Sequence, residues 1–383
     1  MRAAVVEQYG KPLSIRDIPT PDIGDDDVLV HVEGAGVCAT DLKVIDGELG
    51  ADPSRLPLIP GHEIAGTVEA VGHNVTGVAC GDRIAVHALF SCGGCEFCQA
   101  GEEEACPDGI PNLAGVSVPG GYAEFVRVPA DHVLIAPPSL TSIEIAPLLC
   151  AGLTVYSGLK NASLQPGQRV AVLGIGGLGH LAISIASAMG AEVAAITTTT
   201  DKAEIATQLG ASVVTAGTDA AEALQRMGGV HVVLNTVDAP EPILQTLGGM
   251  RPQSTLVLLT TSVGDLLPIA TPLMMGLQMR IVASFFGSRQ DLHELLNLAV
   301  EHKIRPLVES HVLADVNIAH NRLRNNQVRF RAVLTPKDGV LSTAFGKPPA
   351  PSLVYYTQRF TDHDPPQFSP TAGPASVRPA QIA

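Results

Sequence analysis

Four of the seven cysteines fall within fifteen residues, at Cys92, Cys95, Cys98 and Cys106 in the stretch "SCGGCEFCQAGEEEACP" (91–107). Thiolates are soft ligands, and four of them in a tetrahedron hold zinc while leaving no open coordination position. The two-residue spacings let successive sulfurs converge from one tight loop, and the seven-residue gap lets the chain return. A metal here is expected to clamp a loop, not to meet a substrate. An iron–sulfur cluster and a group of free surface thiols are the competing readings. A zinc ribbon that binds nucleic acid conflicts with the formal net charge of −14, because an acidic surface repels phosphate backbones.

The other thiols and one histidine raise a second possibility. Cys38 lies in "GVCATD", His62 in "GHEIAG" and Cys150 in "PLLCAG". Taken singly each is weak, since a lone buried cysteine behaves as a small hydrophobe. Together they offer sulfur, nitrogen and sulfur from three segments. Three protein ligands with a fourth position open is the arrangement of a catalytic zinc. Such a site is expected in the cleft between two domains, a favoured place for ligands. Cys80, in "VACGDRI", has no comparable partner and is expected in the core.

A third constellation is "GIGGLG": Gly174, Ile175, Gly176, Gly177, Leu178 and Gly179. It follows a short apolar strand, "RVAVL", and opens a helix, the context in which G-x-G-x-x-G cradles a dinucleotide pyrophosphate. Gly174 serves the tight turn, Gly176 the close backbone approach and Gly179 the packing of helix on strand. A glycine-rich turn without a ligand is the plainer alternative. The end of the next strand, "AAITTTTDKAE", places Thr197 where an NAD site normally carries Asp or Glu. Hydroxyls of Thr197, Thr198 and Thr199 can donate to a ribose 2′-phosphate, and Lys202 is within reach. NADP(H) is favoured on that ground, with NAD(H) as the alternative.

The elements that must position these groups change character along the 383 residues. Up to about residue 150, short Val- and Gly-rich runs such as "DVLVHVEGAGV" and "EIAGTVEAVG" read as strands of a β-rich domain, with a barrel as one form. From there, near-continuous Val/Leu/Ile strands alternate with helices, the pattern of a parallel sheet covered on both faces. The stretch after about 286 turns helical, then returns to strands. The expected division is a catalytic domain of 1–150 and 288–345, a doubly wound dinucleotide domain of 151–287, and a tail of 346–383. That tail holds eight prolines in 347–383 and few periodic apolar residues.

Apolar residues make up 46% of the chain and charged residues 16%, enough for a large core and no polybasic face. No apolar run is long enough to span a membrane. The first residues lack a signal peptide's pattern, so a cytoplasmic protein with reduced thiols is expected.

The order and separation of "GVCATD", "GHEIAGTVEAVGHNV", "GDRI", the four-cysteine loop, "LLCAGLTVY" and "GIGGLGHLAI" resemble the zinc-dependent alcohol dehydrogenases of the medium-chain dehydrogenase/reductase family, leaning towards their cinnamyl-alcohol and yeast-type branches. The likeness runs from residue 1 to about 336. It implies an α/β protein with a GroES-like catalytic domain and a Rossmann domain, and reversible hydride transfer between an alcohol and NADP(H) or NAD(H). It further implies two zinc ions, one held by Cys38, His62 and Cys150. Glu63 would be a transient or neighbouring ligand, and Asp41 would orient the His62 imidazole. Thr40 would start the proton relay, Thr154 would lie near the nicotinamide and Arg331 near the pyrophosphate. Relatives in this family are dimers or tetramers, so a homo-oligomer acting on small alcohols and aldehydes is implied, with no nucleic acid or membrane partner. The chain departs from many relatives in carrying Lys43 where they have histidine, and in having no tryptophan. Leu89, Phe90, Leu113 and the 273–275 region are the candidates for the substrate wall. A zinc-free quinone or enone reductase of the same fold, a non-enzymatic nucleotide-binding protein, and a polyol or formaldehyde dehydrogenase are the alternatives.

Overall fold

A computed structural model describes residues 1–197, 199, 202–216, 220–260 and 266–336. The proline-rich tail expected over 346–383, the last residues assigned to the catalytic domain, Thr198 and Asp201 lie outside the described residues.

The chain opens with an antiparallel pair, β1 (Arg2–Val5) and β2 (Ser14–Asp17). The strand that organises the first half is β3 (Asp27–Val37), where Val28, Val30 and Val32 alternate inward at period two. It pairs antiparallel with β4 (Glu63–Val71) on one edge. β4 continues to β5 (Arg83–Val86), and β3 takes β6 (Phe125–Pro129) on its other edge. β7 (Val133–Ile135) closes this series beside β5.

The texture then changes as the Val/Leu/Ile runs require. β8 (Arg169–Leu173), β9 (Glu192–Thr197), β10 (Ala211–Ala216), β11 (Val230–Asn235), β12 (Met250–Leu258) and β13 (Arg280–Ala283) form one all-parallel sheet. Its order is β10-β9-β8-β11-β12-β13. Renumbered from β8, that is 3-2-1-4-5-6, the doubly wound order, and it reverses direction at β8. Its central strands are buried on both faces: all of β8 after Arg169 and all of β9 after Glu192 are in the core.

After the helix Arg289–Glu301 the chain makes β14 (Val308–Val312) and β15 (Arg331–Thr335). β15 runs antiparallel to the end of β3, with Ala332 opposite Val37. The first sheet therefore reads β14-β15-β3-β4-β5-β7, open along its hydrogen bonds and not closed into a ring among the described residues. Both sheets belong to one unit, Met1–Leu341. The architecture is α/β: the β-rich part and the doubly wound parallel sheet follow the strand patterns, and together they have the GroES-like and Rossmann form that the resemblance implied.

One expectation fails. Cys80 is exposed, not in the core. It sits in a turn flanked by Gly77 at φ +83° and Gly81 at φ +90°, and this turn lifts the thiol off the sheet before β5 begins. Among the described residues no single helix is long and apolar enough to cross a membrane.

Candidate active site

The end of β3 delivers Cys38, which caps the helix Ala39–Asp46. That helix begins because the Asp41 carboxylate turns back to accept the Cys38 backbone N–H at 2.8 Å, tying off a donor that helix starts leave free. His62 enters just before β4, on a turn where Gly61 has φ +95°. Glu63 is the first residue of β4 and stands opposite Gly36. A Cβ on Gly36 would lie 1.8 Å from Glu63 Oε2, so only glycine leaves room for that carboxylate. Cys150 comes from the junction between a short 3₁₀ turn, Ala146–Leu149, and the helix Ala151–Asn161.

These three segments converge. One ligand atom each from Cys38, His62, Glu63 and Cys150 lies within 4.8 Å of all the others. Cys38, His62 and Glu63 are fully enclosed. His62 Nδ1 is 2.9 Å from Asp41 Oδ1, which leaves Nε2 for the centre of the cluster. Glu63 Oε1 pairs with the Arg331 guanidinium, while its buried Oε2 has no hydrogen-bond partner. An orphaned carboxylate oxygen beside two thiols and an imidazole is the signature of a place for a cation.

The charges say the same. A hydrogen bond from Cys150, opposed by burial and helped by His62, holds the Cys38 thiol well below its ordinary pKa. The same sulfur–sulfur contact, with burial, pushes Cys150 well above its own. Burial opposes charge on His62, but the Asp41 carboxylate outweighs it and raises the imidazole's pKa well above the usual value. Burial raises Glu63 to about 7 against the pull of Arg331. A metal ion here would bind the deprotonated groups, so its binding would release protons.

The glycine loop lies next to this cluster. Gly174 has φ +89°, and a Cβ on Gly179 would be 1.8 Å from the Gly174 carbonyl oxygen, so strand and helix meet at backbone distance. A Cβ on Gly176 would meet nothing within 4 Å, which leaves open space over the loop where a pyrophosphate fits. Arg331 flanks the loop: its Nη1 would be 3.1 Å from a Cβ on Gly177. One buried guanidinium therefore touches both the loop and, through Glu63, the metal-ligand cluster. Ile175 is buried and Leu178 half-buried beneath the loop.

Thr40 is half-buried in the first turn after Cys38. Thr154 is buried one turn after Cys150, so the two share a helix face. Thr197 is the last residue of β9 and is buried, and its Oγ1 accepts the Thr199 N–H at 3.3 Å. Thr199 is exposed and Lys202 half-buried at the start of the next helix. Of the wall candidates, Leu89, Phe90 and Leu113 are buried, with Leu89 bridged to Leu113. Leu273 packs on the parallel sheet, with Leu256 and Met279, and Met275 is 78% exposed.

The four-cysteine loop is a second ligand set, its sulfurs also within 4.8 Å of one another. Cys95 and Cys98 are 3.5 Å apart and Cys92 and Cys106 3.7 Å. Disulfide sulfurs stand about 2.05 Å apart, whereas sulfurs at about 2.3 Å from a tetrahedral zinc stand about 3.8 Å apart. The spacing suits the ion and no disulfide. The N–H groups of Cys92 and Cys95 point at the sulfurs of Cys106 and Cys92, as donors to thiolates do. Cys98→Ser is expected to lower bound zinc by about one ion per chain and stability by about 3 kcal/mol, the value for a cross-link closing a loop of this size. Metal analysis and denaturant unfolding check this; turnover of the remaining folded protein stays near normal.

Three residues escaped sequence reasoning. Tyr122 donates its hydroxyl to Asp41 Oδ2 at 2.7 Å. His180, at the start of the helix after the glycine loop, has Nδ1 3.1 Å from the Gly176 carbonyl and accepts the Leu307 N–H at 3.3 Å on Nε2. Glu103, inside the four-cysteine loop, pairs with Arg289 at the start of the helix Arg289–Glu301. Only the position of His180 within "GLGHLA" gave a local signal.

Comparison with known proteins agrees with the geometry. Residues 24–138 match the alcohol dehydrogenase GroES-like domain, and 177–301 the zinc-binding dehydrogenase domain. An alcohol dehydrogenase of Geobacillus stearothermophilus is 38% identical over 343 residues, covering 88% of this chain and 100% of that one. An NADP-dependent alcohol dehydrogenase of Mycolicibacterium smegmatis is 35% identical over 332 residues, covering 85% of this chain and 94% of its own. The crystal structure of an alcohol dehydrogenase from the archaeon Aeropyrum pernix superposes with a TM-score of 0.80 at 33% identity, covering 88% of this chain and 100% of that one. With metal ligands and nucleotide loop on one scaffold, and likeness at this level across nearly the whole length of such relatives, the chain belongs to the zinc-dependent alcohol dehydrogenases of the medium-chain family.

Proposed function

We propose that this zinc-dependent alcohol dehydrogenase carries its catalytic ion on Cys38, His62 and Cys150, takes NADP(H) in preference to NAD(H), and oxidises small alcohols or reduces the matching aldehydes and ketones. The observation that carries this reading is the meeting of four donor groups from three distant segments, three of them buried and Cys150 half-buried, within 4.8 Å. When bound, zinc supplies Lewis acidity and the nicotinamide nucleotide supplies the hydride chemistry.

The chain's own residues do the rest. Asp41 holds His62 in the Nδ1–H tautomer, so Nε2 is free to ligate. Glu63, with its unpartnered Oε2, would be an additional donor to the ion. Thr40 Oγ1 would accept the substrate's hydroxyl proton while giving its own hydroxyl proton to water on its half-exposed side. Thr154 lines the nicotinamide side, and the open backbone over Gly176 accepts the pyrophosphate with Arg331 beside it. The four-cysteine loop holds the second ion and, through Glu103 and Arg289, ties that loop to the helix Arg289–Glu301. On this reading the catalytic part comprises 1–150 and 288–345, with the nucleotide part at 151–287.

Support for NADP(H) comes from Thr197, which ends β9 without a carboxylate to meet a ribose 2′-OH. The relative named NADP-dependent, at 35% identity, points the same way. Thr197→Asp is expected to swing the ratio of kcat/KM for NADP to that for NAD by about 10- to 100-fold towards NAD, since a like charge would face the 2′-phosphate. An unchanged ratio would defeat this assignment.

A homo-oligomer fits the parallel sheet's edge. β13 has no partner beyond β12 among the described residues, and Ile281, Phe285 and Met275 on or near it are 39%, 50% and 78% exposed. Such an edge invites a second copy. Thiols held by metal, not by disulfides, suit the cytoplasm. A steady-state panel of primary, secondary, aromatic and polyol substrates and formaldehyde adducts, each with both cofactors, tests the function. Turnover confined to enones or quinones, with no zinc dependence, would overturn it.

A further inference from the structure

Tyr122 packs against the Gly61–His62 turn beside the metal-ligand cluster. It is fully buried, with its ring centroid 5.7 Å from that of His320. Its ring fills the space that a Cβ on Gly61 would take, with Cδ1 2.3 Å from that position. The residues around it are sewn to the same turn: Gly120 N–H donates to Ile59 at 2.7 Å, Gly121 to Gly61 at 2.8 Å and Tyr122 to Pro60 at 3.0 Å. The turn that carries His62 is thus held by ring and backbone together.

The hydroxyl does a second job. It donates to Asp41 Oδ2 at 2.7 Å. The same oxygen accepts the Cys38 N–H at 2.8 Å, and the other oxygen faces His62 Nδ1 at 2.9 Å. Asp41 is therefore a carboxylate with three donors, two of them on metal-ligand residues and the third on Tyr122. A carboxylate accepts in fixed directions, so its rotation sets where the imidazole points. Removing one donor lets the carboxylate turn and leaves part of a buried charge unsatisfied.

We propose that Tyr122 is a positioning residue for the catalytic metal: without touching the ion, it orients Asp41 through its hydroxyl and the Gly61–His62 turn through its ring, and so sets how tightly the Cys38/His62/Cys150 site retains zinc. This rests on the assignment of that site as a metal site. Partners of ligating histidines change metal affinity by about 10- to 100-fold when removed, and Tyr122 stands one bond further out, so about tenfold is expected.

The test is release of zinc from the full-length holoprotein into a chromogenic chelator, followed as two phases, one for each ligand set. Phases are assigned with Cys98→Ser, which lacks the loop ion. Tyr122→Phe keeps the ring against Gly61 and removes only the hydroxyl. The expected result is release from the Cys38 site about tenfold faster, with the loop phase and the fluorescence-measured affinity for NADPH unchanged. In a double-mutant cycle with Asp41→Asn the two effects are non-additive, because the hydroxyl acts through that carboxylate. Should Tyr122→Phe not fold, 3-fluorotyrosine at 122, which keeps ring and donor, is expected to release no faster than the parent. Equal release rates in Tyr122→Phe, acceleration of both phases together, additive effects in the cycle, or fast release with fluorotyrosine would each overturn the proposal alone. A parent protein that releases only the loop ion would overturn the metal-site assignment itself, and this proposal with it.

Discussion

Cys38→Ser lowers kcat/KM for alcohol oxidation by about 10³-fold or more, while the affinity for NADPH stays within about twofold of the parent. The size follows from what the ion contributes. Lewis-acid stabilisation of a developing alkoxide is worth several kcal/mol, and each 1.36 kcal/mol is tenfold in rate. Serine is too hard and too weakly acidic to replace a thiolate whose pKa the site already depresses. The nucleotide loop is untouched, because Cys38 ends β3 while Gly174–Gly179 follow β8 on the other sheet. Bound zinc should fall by about one ion per chain, leaving the loop ion in place. A variant with near-normal turnover and one ion fewer would show that the reaction does not use this site, and the zinc-free reductase reading would then have to account for both ligand sets.

Arg331→Leu is expected to cost about 3–5 kcal/mol of stability, the loss seen when one partner of a buried ion pair is removed. Arg331 is 4% exposed and Glu63 fully buried, and the pair joins residues 268 apart in sequence. Without the guanidinium, Glu63 would sit as a bare carboxylate beside two thiols, or take up a proton as its already raised pKa favours. A bound cation at the cluster supplies an opposite charge, so the loss should be larger for the metal-stripped protein than for the loaded one. Adding Glu63→Gln should recover part of it, since the uncompensated charge is then gone. Denaturant unfolding of the parent, Arg331→Leu, Glu63→Gln and the double variant, each with and without metal, makes the comparison. A loss under about 0.5 kcal/mol, the ordinary result for a surface residue, would mean that the pair contributes nothing to the core. Weaker NADPH binding in the same variant would fit the contact between Arg331 and Gly177.

Local chemistry made much of this legible. The glycine loop is readable because Gly174, at φ +89°, and Gly179, where a Cβ would meet the Gly174 carbonyl oxygen, answer backbone constraints, and the strand and helix around it are continuous in sequence. The four-cysteine loop is readable because its ligands need only a short chain to converge. Cys38, His62 and Cys150 could be grouped because two thiols and an imidazole make a zinc ligand set, although one follows a strand, one sits on a turn and one joins two helical segments. What could not be read depends on pairs far apart in the chain. Tyr122 meets Asp41 across 81 positions and Arg331 meets Glu63 across 268, and no spacing rule links them. The charge on Arg331 signals nothing by itself, because arginines are mostly exposed. Cys80 was misread for the opposite reason: a thiol between apolar residues looks like core, and only the turn set by Gly77 and Gly81 places it outside.

The most direct test of the central claim is anomalous diffraction from crystals of the zinc-loaded protein, with data collected on both sides of the zinc absorption edge. The account predicts two peaks per chain, one among Cys92, Cys95, Cys98 and Cys106 and the other bounded by Cys38 Sγ, His62 Nε2 and Cys150 Sγ. A fully loaded crystal with a peak only in the four-cysteine loop would contradict it.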